Sequence, residues 1–233
     1  MYKQTIGIVG GFGGFATLDF FRRLLETFNT GYERDYPRIV MDNDFTMPSR
    51  TRALLYGEQT EKVIEMITKS VQNLIEIGTD KIVLVCGTAH WFLDEVYEKL
   101  PEAREKVIDI INVTGEKMRA ENIQSCYIIA AEGTLKEKVF EKRLSEFGIN
   151  AAAPAETDWP LIRIFIEAVK QNEDLTPVKR KLEEFIHDRV NESECVILGC
   201  TELAVLVDEE IKKRIRFEDP LENVLMYLKQ TLV

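Results

Sequence analysis

Two thiols at matching places in two strand-like runs are the residues of this 233-residue chain best suited to chemistry. The runs read KIVLVCGTAH, Lys81 to His90, and ECVILGCTEL, Glu194 to Leu203. Aligning Cys86 with Cys200 brings Ile82 onto Val196, Val83 onto Ile197 and Leu84 onto Leu198. A thiol has an unperturbed pKa of about 8.5, near enough to neutral both to take a proton and to return one. Two such groups, one per half-site, would let an enzyme deprotonate one face of a carbon and reprotonate the other. Each of these cysteines closes a strand, where open α/β sheets bind ligands, and amides at the start of a following helix can favour the thiolate. The competing reading is that cysteine is a small core residue. That reading is preferred for Cys126 and Cys195, which stand at or before strand starts.

Other motifs carry less. The turn Val9-Gly10-Gly11-Phe12-Gly13-Gly14-Phe15-Ala16-Thr17 fits G-x-G-x-x-A at Gly11, Gly13 and Ala16. A dinucleotide fold expects an acidic residue about 20 positions on. Asp42 and Asp44 come about 30 on, which weakens a nicotinamide reading; glycines also let backbone approach any small ligand. Arg50, in Met47-Pro48-Ser49-Arg50-Thr51-Arg52, is placed in a loop beyond the second strand. There it could clamp a carboxylate through its planar, bidentate donors, or simply be solvated. Lys170 closes a helix-like segment and could be no more than a helix-end charge. His90 lies four residues after Cys86, within hydrogen-bonding reach of that turn, and His187 lies mid-helix. Two scattered histidines offer no metal-ligand spacing, and no lysine stands in a recognisable pyridoxal setting.

The elements that must position these groups are strands and helices in alternation. Apolar runs at Ile6–Val9, Ile39–Met41, Ile82–Val85, Tyr127–Ala131, Ile149–Ala153 and Val196–Leu198 predict strands buried on both faces, as in a parallel sheet. Helical spacing predicts helices over Phe15–Phe28, with Leu18, Phe21, Leu25 and Phe28 on one face, and over Glu58–Ile77, with Val63, Ile67, Leu74 and Ile77. Further helices are expected at Phe92–Lys99, Val107–Ala120, Leu135–Phe147, Trp159–Lys170, Pro177–Asn191 and Leu221–Thr231. Such alternation implies βαβ crossovers and an α/β fold. The strand-and-glycine-turn pattern at Thr5–Gly14 recurs at Cys126–Thr134, about 120 residues on, close to the spacing of the two cysteines. A duplication giving two similar lobes is the simplest account, with the boundary in Leu100–Asp109, and a single six-stranded sheet is the alternative.

Composition sets outer limits. A chain of this size, 45% hydrophobic and 30% charged, has the make-up of a soluble globular protein. No run approaches the roughly 18 apolar residues of a membrane span, and no signal peptide is visible at Met1-Tyr2-Lys3. Four cysteines are too few for a disulfide framework, so reduced thiols in a cytoplasmic setting are expected. The net charge of −10 argues against nucleic acid and anionic membrane, and requires any anion site to be locally positive.

The blocks GIVGGFGGFAT (Gly7–Thr17), MPSRT (Met47–Thr51), CGTAH (Cys86–His90), AAEGT (Ala130–Thr134) and ILGCTEL (Ile197–Leu203) together resemble the cofactor-independent aspartate/glutamate racemase family, over essentially the whole chain. The resemblance implies two similar three-layer α/β lobes with mainly parallel sheets, pseudo-twofold related, with the active site in the cleft between them. Residues 1–105 and a returning C-terminal helix at about 211–233 would form one lobe, and 106–210 the other. It also implies a two-base racemase without cofactor or metal, in which Cys86 and Cys200 exchange roles as thiolate and thiol, and a homodimer. Substrate contacts are implied at Gly11, Arg50, Gly87, Thr88, Thr134, Lys170, Thr201 and Glu202, with Arg50 and Lys170 on the side-chain carboxylate of aspartate before glutamate. The chain departs from the family pattern at Gly87, where asparagine is usual, at Ala131, where threonine is usual, and at Gly14, where proline is usual. These changes thin the polar contacts to substrate, and those at Gly87 and Ala131 keep alive a degenerate acidic-metabolite binder; the other rivals are a related one-thiol decarboxylase or isomerase, against which the retention of both cysteines speaks, a nicotinamide-dependent reductase, and a sensor pairing Cys86 with Cys200 as a disulfide.

Overall fold

A computed structural model describes residues 4–190 and 195–232. Asn191 and Glu194, at the ends of an expected helix and of the second cysteine motif, lie outside the described residues, as do Met1 to Lys3 and Val233. Among the described residues, eight strands form two sheets. In chain order they are β1 (Thr5–Val9), β2 (Arg38–Asp42), β3 (Lys81–Leu84), β4 (Val107–Ile108), β5 (Ser125–Ile129), β6 (Asn150–Ala152), β7 (Cys195–Leu198) and β8 (Phe217–Glu218). The sheets run β2-β1-β3-β4 and β6-β5-β7-β8, and every pairing is parallel. The two orders are the same with β5 to β8 in place of β1 to β4, so the repeat seen in the sequence is a repeat of topology. A single six-stranded sheet is thereby replaced by two four-stranded ones.

The two extra strands, β4 and β8, are two residues each and carry no periodicity that a sequence pattern could reveal. Val107–Ile108, expected to begin a helix, instead pairs with β3, and the helix starts at Ile110 behind an Asp109 cap. Strand pairing thus carries the first sheet to Ile108 and keeps Phe217–Glu218 in the second. The C-terminal helix, Pro220–Thr231, packs on the helices Gly14–Phe28 and Ile110–Ala120.

Both faces of the inner strands β1 and β3 of the first sheet are buried, while the edge strand β2 is partly exposed. Along β3, Val83 joins a core that runs on through the second lobe, while Ile82 and Leu84 join a separate cluster under Thr60–Glu76. This is why the strands read as unbroken apolar runs. The helix Gly14–Phe28 buries Phe20, Leu24 and Phe28 but turns Leu18 outward, 62% exposed. The expected stripe led by Leu18 is therefore rotated. The helix is apolar on more than one side, so its periodicity alone does not fix which side faces the core. Ile77 is likewise exposed, because it caps its helix rather than continuing the buried face. The expected Leu135–Phe147 helix is two, Glu132–Lys136 and Val139–Ser145, broken at Lys138 with φ +53. Arg50 lies in a helix, Arg50–Tyr56, that Ser49 caps by accepting from the Arg52 amide, and not in a loop.

Candidate active site

β1 and β3 finish level, as Val9 pairs with Leu84; β5 and β7 do the same through Ile129 and Leu198. Cys86 and Cys200 follow β3 and β7 by two residues, so each thiol stands at the carboxyl edge of its sheet. Both are buried, and both are free thiols rather than a disulfide. The turns that carry them touch. A Cβ on Gly87 would collide with the carbonyl oxygen of Gly199, the residue before Cys200. The position where the family pattern carries asparagine thus has no room for a side chain in this arrangement. Cys86 is also near enough for its charge to act on Cys200.

Around this junction, contacts cross between the lobes. The Thr88 and Thr134 hydroxyls lie 2.8 Å apart, both buried. The Cys200 thiol donates to Glu202 Oε2 at 2.9 Å, and the Thr201 hydroxyl donates to the same oxygen at 3.2 Å. The other Glu202 oxygen, Oε1, lies where a side chain at Gly13 would have to go. A buried carboxylate thus occupies the start of the Gly14–Phe28 helix, where a dinucleotide fold would seat its pyrophosphate. That placement removes the phosphate cradle that the glycine pattern suggested. Burial first, and then the Glu202 carboxylate, push the Cys200 thiol well above its ordinary pKa; Lys170 opposes them. For Lys170 burial works against the charge, but Glu202, Cys200 and Glu167 outweigh it and raise the ammonium above its usual value.

Cys86 is held differently. Ile110 N–H donates to His90 Nε2 at 3.3 Å, so the imidazole proton sits on Nδ1, which donates to the Cys86 carbonyl at 2.9 Å. Burial lowers the His90 pKa to about 4, so the ring is neutral. The His90 carbonyl accepts from Arg143 at 3.2 Å, and Arg143 pairs with Asp109, the cap of the Ile110–Ala120 helix. His90 therefore does reach the Cys86 turn, through backbone rather than sulfur.

The remaining residues fall in two groups. Arg50 donates from Nη1 to Pro48 O at 2.8 Å and from Nη2 to Phe12 O at 2.7 Å, with its guanidinium 4.9 Å from the Phe12 ring centre. Its Nε is buried without a partner, and no carboxylate pairs with it among the described residues. Lys170 lines a cavity with Phe12, Phe15 and Phe45 beside the glycine turn. The Gly11 amide is already taken by Asn43 Oδ1 at 2.7 Å. Cys126 and Cys195 face each other in register on β5 and β7, buried, and the low dielectric lifts the Cys195 pKa to about 12. His187 lies in the last turn of the Leu175–Arg189 helix.

Comparison with known proteins agrees with this geometry. The chain matches the family model Asp/Glu/Hydantoin racemase over residues 9–222. The structure of an aspartate racemase from Picrophilus torridus superposes with a TM-score of 0.85 at 25% identity, covering 98% of this chain and 94% of that one. A glutamate racemase from Francisella tularensis, solved with D-glutamate, shares the fold at a TM-score of 0.69 and 18% identity, over 98% and 81% of the two chains. The broad specificity amino-acid racemase RacX of Bacillus subtilis is 20% identical over 210 residues, 87% of each chain. Among the described residues no helix is long and apolar enough to cross a membrane. With two parallel-sheet lobes meeting at paired thiols and the match spanning nearly all of its length, the chain belongs to the Asp/Glu/Hydantoin racemase family.

Proposed function

We propose that the protein racemises an acidic amino acid at its α-carbon without pyridoxal phosphate, using Cys86 and Cys200 as the two proton-transfer groups. The observation that carries this is the direct abutment of the Cys86-Gly87 and Gly199-Cys200 turns across the lobe junction. In one direction the Cys86 thiolate takes the α-proton and the Cys200 thiol delivers its own proton to the opposite face. The enzyme is left with Cys86 as thiol and Cys200 as thiolate, and the reverse turnover restores it. In the resting state Cys200 is the protonated partner, donating to Glu202; when it becomes the thiolate, Lys170 stands by to offset the carboxylate. In this scheme the Thr88, Thr134 and Thr201 hydroxyls, grouped at the same junction, serve as donors to the carbon's developing negative charge. An acidic side chain is favoured by Arg50, a partly buried cation with no carboxylate of its own among the described residues and an unpaired Nε. Burying a charge unpaired is costly, and a substrate carboxylate would complete it. Gly11 and Gly87 act in this scheme by shaping the cleft, and Glu202 by holding and tuning the Cys200 thiol. A homodimer in the cytoplasm belongs to the same proposal.

Proton NMR in deuterated water tests it directly. L-aspartate and L-glutamate should lose their α-proton signals and racemise with wild-type protein. Cys86→Ala and Cys200→Ala should each fail to racemise. Full racemisation by either variant would refute the two-thiol scheme.

A further inference from the structure

We infer that Phe140 is a positioning residue for proton transfer. Its ring backs both thiol turns at once and, with Arg143 on the same helix, holds them where a proton taken by one sulfur is replaced from the other. This rests on the two-thiol reading above and adds to it what keeps the two half-sites in step. The turns meet as main chain on main chain, Cys86-Gly87 against Gly199-Cys200. That contact sets how near they come, but two glycines have no side chains of their own to stop them sliding or parting. The Phe140 ring is the side-chain part of the contact. One ring carbon, Cε2, lies 3.3 Å from where a Cβ on Gly87 would stand and 3.2 Å from where a Cβ on Gly199 would stand. Among the described residues it is the one side chain that stands among the nearest neighbours of both glycines. The ring is fully buried, in a close-packed interior that leaves it no second place.

Phe140 belongs to the short Val139–Ser145 helix, which lies between β5 and β6 in the chain. The left-handed backbone at Lys138 parts this helix from the one before it and resets its direction. It packs on the Thr88–Phe92 turn that follows Cys86 and on the Ile110–Ala120 helix. Phe140 and Arg143, three residues apart, share a face. Arg143 Nη2 donates to the His90 carbonyl at 3.2 Å, and its Nη1 pairs with Asp109. One helix thus touches the Cys86 segment twice, at Gly87 through a ring and at His90 through a guanidinium, and the Cys200 segment once, at Gly199. Inversion needs both sulfurs in line with one carbon, and a misplacement of about 1 Å can cost about 10²-fold in rate. Abstraction needs one sulfur only. The α-proton passes to that thiolate, and the new S–H becomes S–D in deuterated water. Return of the deuteron from the same sulfur gives the labelled starting enantiomer. Delivery from the opposite sulfur gives the labelled mirror image. The ratio of inversion to exchange with retention therefore reads the alignment of the two half-sites, whereas a loss of folded protein lowers both together.

The test is that ratio, taken from proton NMR and chiral chromatography at early times in deuterated water, with whichever of L-aspartate and L-glutamate the wild type racemises. Phe140→Leu should lower it by at least about tenfold, with exchange outlasting inversion. Arg143→Lys, at a partly exposed position where the fold is not at stake, keeps the charge and gives up the forked geometry. It should lower the ratio by a smaller factor, and it decides alone if Phe140→Leu does not fold. Phe28→Leu, likewise in the core but at the far end of the Gly14–Phe28 helix, is the control. It should leave the ratio as in wild type whatever it does to stability. An unchanged ratio in folded Phe140→Leu or in Arg143→Lys would overturn the inference and leave the racemase reading standing, as would an equal fall in Phe28→Leu. Wild type that exchanges neither acid would overturn the racemase reading and this inference with it.

Discussion

The two half-sites share a plan and differ in how each holds its thiol. Cys86 is fixed through its backbone: the buried His90 ring ties the Cys86 carbonyl to the Ile110 amide. Cys200 is fixed through its sulfur, which donates to Glu202. In the alignment of the repeats, His90 corresponds to Ala204 and Glu202 to Thr88, so neither device has a copy in the other lobe. The two lobes carry their thiols in equivalent places and support them differently. Under the proposed scheme the substrate meets two unequal acids, of which Cys200 alone is hydrogen-bonded to a carboxylate among the described residues, and the two enantiomers need not be handled alike.

The largest effect expected is loss of either thiol. Cys86→Ala and Cys200→Ala should each lower racemisation by at least about 10²–10⁴-fold, the usual contribution of a positioned acid or base. The comparison is sharpened if residual α-exchange persists from opposite enantiomers in the two variants, and broken if the same enantiomer survives in both. Next in size is a stability effect confined to the first half-site. His90 stays neutral in the fold down to pH about 4, whereas the unfolded chain takes up a proton near pH 6.5. Its contribution is fully present above that range and is lost as pH falls through it, about 3 kcal/mol in all. Urea unfolding at pH 7, 5.5 and 4.5 should show this loss in wild type and a shallower one in His90→Asn; parallel slopes would take the effect away from His90. Gly87→Ala should then cost about 1–3 kcal/mol of stability, since its methyl group meets the Gly199 carbonyl and the two lobes must part to admit it. Thermal unfolding unchanged from wild type would show that the turns separate freely. The smallest effect is a shift rather than a loss. Glu202→Gln removes the carboxylate that helps raise the Cys200 thiol, so the exchange that uses Cys200 as base should begin at lower pH. Exchange of the other enantiomer should keep its profile, and an equal shift in both would erase the distinction between the half-sites.

Much of this molecule is legible in its sequence, for reasons that can be named. The four inner strands, buried on both faces, announce themselves as unbroken apolar runs, and the half-exposed β2 and β6 still carry short apolar runs that could be read. Two-residue strands such as β4 and β8 are defined only by their partners, which lie in other parts of the chain. The break at Lys138 is carried by a lysine in a left-handed conformation, with no glycine or proline to signal it. At the site, the cysteines were visible because the repeat placed them alike. The Thr88–Thr134 pair was not, because it joins segments 46 residues apart whose meeting depends on the lobe junction. The Cys200–Glu202 bond is local, yet Glu202 on a short helix reads like any solvated carboxylate until the Gly13 surface is found pressed against it.

The near contact of Gly87 with Gly199 has a consequence for how such a scaffold can change. The gauge between the two sulfurs is made of main chain, so side-chain drift elsewhere leaves it untouched, while any branched residue at position 87 would widen it for every substrate at once. New specificities would therefore arise away from this contact, where replacements leave the approach of the two turns unchanged.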